Sequence, residues 1–153
     1  MSTYTATIRW TRDPGTDFAR GQYSRAHSWE SDGGVTVPAS PSPQVVPQPW
    51  SDLAAVDPEE AFVASLASCH MLFFVDFARR GGFVVDSYVD EAEGILDKRD
   101  DGKMAMTRVT LRPKVVFCGP NPPTPEEIAD LHHRAHEACF IANSVTTEVT
   151  VEH

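Results

Sequence analysis

One stretch, residues 57–82, constrains this chain more than any other: D-P-E-E-A-F-V-A-S-L-A-S-C-H-M-L-F-F-V-D-F-A-R-R-G-G. Asp57 stands where an N-cap accepts backbone N–H groups, Pro58 suits the first helical position, and Glu59 and Glu60 place negative charge at the positive end of the helix dipole. Arg79 and Arg80 complement the other end, and Gly81 and Gly82 stop the helix. Between these caps Phe62, Leu66, Cys69, Phe73 and Phe77 recur at helical spacing, while Val63, Ala67, Met71, Phe74 and Val75 fill most of the remaining circumference. A helix apolar on nearly every side is expected to be buried.

The run is close to bilayer length, but His70 and Asp76 lie inside it, and ionisable groups at membrane depth are costly. A core helix is therefore the expectation. Its polar members are Ser65, Ser68, Cys69, His70 and Asp76, and the thiol near the middle is the first chemical candidate. A lone buried cysteine is more often a small core hydrophobe, so the helix by itself leaves both readings open.

The rest of the chain surrounds this helix with strands. Tyr4, Ala6, Ile8 and Trp10 alternate with polar residues, and a second extended run covers 21–30, with Arg25 among bulky neighbours. Asp32, Gly33 and Gly34 predict a hairpin turn. Residues 37–50 carry prolines at 38, 41, 43, 47 and 49, which predicts an extended loop leading into the helix and able to wall a pocket. Runs 84–98 and 103–117, separated by R-D-D-G, predict a hairpin. A second helix opens at Thr124 with Pro125 and Glu127 in a capping box, and carries small apolar residues through Ala142. Residues 145–151 alternate as a last strand. The order β-β-α-β-β-α-β predicts one α+β domain over 1–153 with antiparallel pairing.

Composition excludes some functions. The net charge of −9 argues against nucleic acid or an anionic membrane surface as partner. No apolar or basic leader is visible, so the expected compartment is the cytoplasm. Three widely spaced cysteines, 69, 118 and 139, do not form a secreted disulfide framework. Cys118 has no ionisable neighbour in sequence and is expected to be a spectator.

Cys69 and Cys139 each lie on an apolar face of one predicted helix, and packing of those helices could bring the thiols together. Such a pair suits a peroxidatic cycle, in which one thiolate becomes a sulfenic acid and the second resolves it as a disulfide. A competing reading comes from His132, His136 and Cys139, whose spacing places three zinc-type ligands on one helical face, though no fourth ligand is apparent.

The D-P-E-E-A-F-V-A-S-L-A-S-C-H segment, followed by H-E-A-C-F-I-A-N-S-V at 136–145, resembles the OsmC/Ohr family of thiol-dependent hydroperoxide reductases. The resemblance extends through D-E-A-E-G at 90–94 and R-V-T-L-R-P at 108–113. It implies an OsmC-like fold, antiparallel sheets around two central helices in an intertwined homodimer, with the active sites at the subunit interface. It further implies that Cys69 is the peroxidatic and Cys139 the resolving cysteine, and that Arg25, with Arg20 as fallback, is an active-site arginine held by Glu59. Arg25 would stabilise the Cys69 thiolate. Glu59 precedes Cys69 by ten residues, about 15 Å of straight helix, so a break near 65–68, or a Glu59 in the preceding loop, is expected. The implied activity is reduction of organic hydroperoxides, and hydrogen peroxide as a further substrate, without metal, haem, flavin or other cofactor. The reductant would be a dithiol, for which the resemblance points to lipoylated protein partners. Phe62, Phe73 and the proline-rich loop are candidate pocket walls. The alternative from a different class is a non-catalytic dimeric binding or redox-sensing protein with an apolar pocket.

Overall fold

The computed structural model describes all residues, 1–153, and sorts them into two compact units, Met1–Ala61 and Phe62–His153. In the first unit β1 (Ala6–Arg9), β2 (His27–Ser31) and β3 (Thr36–Ala39) form an antiparallel sheet in the order β1-β2-β3. The Asp32–Gly34 turn falls where expected, with the Gly34 N–H donating to the Ser31 carbonyl at 3.1 Å and Gly34 at φ 86°. The strand beyond it was not foreseen: residues 36–39 pair with β2 although Pro38 interrupts the run. A proline lacks a donor, so it is tolerated on an edge strand, which β3 is. The loop after it folds back, and the Ser40 N–H donates to Val56 at 3.1 Å.

Helix α1 (Pro58–Arg80) has the expected caps. The Glu60 N–H donates to Asp57 Oδ1 at 2.7 Å, and the Asp57 N–H donates back to Glu60 Oε2 at 3.2 Å. At the far end the Phe83 N–H reaches the Ala78 carbonyl and the Gly82 N–H the Arg79 carbonyl, with Gly82 at φ 81°. This six-to-one and five-to-two pairing needs a left-handed residue, which is why glycine stands there. The helix is continuous, with Glu59 in its first turn, so neither the expected break near 65–68 nor a loop position for Glu59 is found.

Burial corrects a second expectation. Only Leu66, His70, Phe74 and Ala78, a single i, i+4 stripe, are buried, while Leu72 and Val75 on other faces remain 63% and 37% exposed. By length and composition the helix could cross a bilayer. In this fold its buried stripe instead packs in two clusters of the second unit: Phe74 and Ala78 with Leu131 and Ala135 of α2 (Pro125–Ala138), and Leu66 with Val109 and Leu111.

The predicted long hairpin exists at its tip but changes partners midway. Strands β5 (Glu93–Lys98) and β6 (Met104–Leu111) pair across the Arg99–Gly102 turn, whereas β4 (Val84–Asp90) pairs with β7 (Pro113–Cys118). Pro113 cannot donate to a ladder, and the Arg112 N–H before it turns to Asp90 Oδ1 at 2.7 Å, so the sheet splits there. A strand β8 (Glu148–Val151) adds to β6 in parallel, a departure from purely antiparallel pairing. Gly94 lets β5 meet α1 closely: a Cβ there would stand 2.5 Å from Val63 and from Met106. The result is an α+β fold.

Candidate active site

Cys69 lies on α1, half-buried, and Cys139 caps the C-terminus of α2, 1% exposed. The second helix opens with the expected Thr124–Glu127 capping box but ends at Ala138, earlier than its apolar stripe suggests. The Cys139 N–H makes a tightened bond to His136, and Asn143 Nδ2 caps the Glu137 carbonyl at 2.9 Å. A one-turn 3-10 helix, Ala142–Ser144, follows. The chain thereby folds around the sulfur, and the Ala142 N–H donates to Cys139 Sγ at 3.4 Å. Burial, above all, pushes the Cys139 thiol up to about 11; the Ala142 N–H opposes this, and the neighbouring Cys69 thiol adds to the rise. The Cys69 thiol is thus near enough to Cys139 to act on it, and both thiols are free. Cys118 is exposed at the end of β7, opposite Val84.

Arg25 donates through one guanidinium nitrogen to the Gly21 and Tyr23 carbonyls, at 3.2 and 3.0 Å, and lies 4.0 Å over the Tyr23 ring. It makes no ion pair with Glu59, which occupies the first turn of α1. Arg20 is exposed and pairs with Asp17 at 3.5 Å. Phe62 packs with the Leu66 cluster, and Phe73 packs against Phe77 and, edge-on at 5.0 Å, against the exposed Phe140.

Two arrangements were invisible in the sequence. The first unit carries an open cleft of about 450 Å³ lined by Ile8, Trp10, Phe18, Tyr23, Pro41 and Arg25. Trp10, Phe18 and Tyr23 pack ring on ring, with Phe18 and Tyr23 stacked at 4.6 Å. His27 fixes the Arg25 backbone: Trp29 Nε1–H donates to His27 Nε2 at 3.0 Å, so the neutral ring keeps its proton on Nδ1, which donates to the Arg25 carbonyl at 2.8 Å. That leaves Arg25 as the formal charge in an apolar lining. Pro41 of the proline-rich loop lines this cleft. The alternation of bulky residues was the available signal, but nothing in it identified facing strands.

The second arrangement joins α1 to α2. His70 Nε2 and His132 Nδ1 lie 3.0 Å apart, with both rings buried. Burial holds His70 down to about 4 and His132 to about 3. His132, His136 and Cys139 share the spacing noted in the sequence, but no three His, Cys, Asp or Glu side chains converge on a common point.

Residues 51–153 match the family model of OsmC-like protein. Among solved structures, an OsmC-like protein of unknown function from Vibrio cholerae is 54% identical over 99% of both chains, with a TM-score of 0.98. An organic hydroperoxide resistance protein OsmC from Legionella pneumophila is 17% identical over 100% of both chains (TM-score 0.63), and OhrB of Bacillus subtilis is 22% identical over 97% of both (TM-score 0.60). At those identities the last two establish likeness of fold. No curated protein matches the chain. A family model spanning most of the chain, a 54% identical structure and the expected fold together place this protein in the OsmC/Ohr family.

Proposed function

We propose that the protein is a two-cysteine peroxidase acting on organic hydroperoxides, and the observation that carries this reading is the pairing of a half-buried Cys69 with a buried Cys139. The Cys69 thiolate attacks the terminal peroxide oxygen; an S–O bond forms as the O–O bond breaks, and the alkoxide leaves as alcohol after taking a proton. Cys139 then gives up its proton and attacks the sulfenic sulfur, closing the disulfide and expelling water. A dithiol, with lipoylated proteins as the proposed physiological class, returns both thiols. Hydrogen peroxide would be a lesser substrate, since it has no apolar body to bind. Relatives named for organic hydroperoxide resistance support the reading. Arg25 is the proposed cation for the Cys69 thiolate; within one chain it is not held by Glu59, so this role is assigned to the homodimeric assembly.

Intact mass after one equivalent of cumene hydroperoxide tests the cycle. Wild type should lose two hydrogens, Cys139→Ser should gain oxygen on sulfur, and Cys69→Ser should stay unchanged. An unchanged wild type overturns the reading. In that event ligand binding without turnover takes its place, a second reading favoured by the aromatic cleft beside Arg25.

A further inference from the structure

The thiol cycle leaves one buried polar cluster without a task. His70 and His132, 1% and 2% exposed, face each other with rings nearly parallel, centroids 5.3 Å apart and planes at 8°. One hydrogen bond between two neutral imidazoles uses one N–H and one lone pair. Whichever ring donates, His70 Nδ1 and His132 Nε2 are left as one buried donor and one buried acceptor with no partner. Phe74 stacks on His132 at 4.2 Å, and behind Phe74 lies Tyr88 of β4, its buried hydroxyl also unpartnered. The other titratable groups facing the pair are His136 of α2 and His153 beyond β8, whose ring is 4.5 Å from that of His132. No carboxylate bonds either imidazole of the pair.

The pair and the thiols share their supports. His70 is the residue after Cys69 on α1, and His132 precedes Cys139 by seven residues, two turns of α2, which returns to nearly the same face. Anything that parts the imidazoles acts on the same two elements that hold the sulfurs together. We propose that the His70–His132 hydrogen bond is a positioning clamp that keeps Cys69 and Cys139 within disulfide reach, and that charging both imidazoles releases them, making resolution acid-sensitive. One added proton leaves an N–H···N bond in place, but charging both imidazoles sets two N–H groups against each other and replaces the bond with repulsion. The inference rests on the two-thiol reading of the site.

The test is the equilibrium between the Cys69–Cys139 disulfide and a dithiothreitol redox buffer, followed by intact mass from pH 7 to pH 3. It compares wild type with the double variant H70Q/H132Q, whose amides can still bond to each other but do not titrate. Relative to the variant, the wild-type disulfide should weaken about tenfold toward pH 3, where both buried imidazoles take up protons, a tenfold change being one pKa unit of coupling. Coupling is reciprocal, so in wild type the two imidazoles, followed by NMR, must take up protons at higher pH in the reduced than in the disulfide form by the same factor. That second measurement needs no variant and holds if H70Q/H132Q fails to fold. Equal titration in both redox forms, or parallel pH profiles for the folded pair of proteins, overturns the clamp and leaves the peroxidase standing. Failure of wild type to form the disulfide at any pH overturns both.

Discussion

Single residues decide how this site handles protons. Cys139, pushed up to about 11 by burial, is a poor nucleophile until it is deprotonated, whereas Cys69 is half-buried. The imidazole pair has a sign that can be worked out. Both histidines are held below the ordinary value of 6.5, to about 4 and about 3, so between these limits the unfolded chain binds more protons than the folded one. Stability is therefore fully present above pH 6.5 and falls as pH drops toward 4, by about 3 kcal/mol for His70 alone. Urea titrations at pH 7 and pH 4.5 should show this loss, and H70Q/H132Q should show much less of it. The cysteines and histidines were legible as residue types, and Cys69 and Cys139 as a motif. The partnership of His70 with His132 was not, because residues 62 positions apart become neighbours only when two helices pack.

At the scale of elements, caps and turns were readable because they are local: Asp57 with Glu60, Thr124 with Glu127, and Gly82 each act within a few residues. Pairing choices were less so. The division of one long hairpin into β4–β7 and β5–β6, the edge strand β3 and the parallel β8 all depend on which segments meet. Gly94 is the tightest such meeting, since any side chain there collides with Val63 of α1 and Met106 of β6. Gly94→Ala should cost about 1–3 kcal/mol through overpacking, read as a lower urea midpoint with an unchanged slope. An unaffected midpoint would mean that the helix and strand can separate at no cost.

For the whole molecule, the apolar circumference of α1 is larger than one chain covers. Leu72 stays 63% exposed and Phe140, edge-on to Phe73, 71% exposed. Exposed apolar area of this kind marks an interaction surface, and a second copy of the chain is the occupant proposed with the peroxidase reading. Sedimentation at micromolar concentration should give twice the 16.8 kDa chain mass, and Leu72→Lys should shift it toward one. A wild-type monomer would overturn the homodimer and, with it, the route proposed for Arg25 to reach the thiols.

The sequence by itself determined the central capped helix, the α+β class and the turns, because each follows from periodicity, from cap chemistry or from residues close together in the chain, whereas the two-cysteine reading rested on a family resemblance. Tertiary structure alone decided that α1 buries one stripe rather than its whole circumference, that Arg25 bonds its own loop instead of Glu59, and that a histidine pair joins the helices bearing the thiols. Those outcomes depend on what faces each side chain across space. Hydrophobic patterning says only that a surface will be covered, not by which element, and a buried hydrogen bond is specified only when both its ends have been placed.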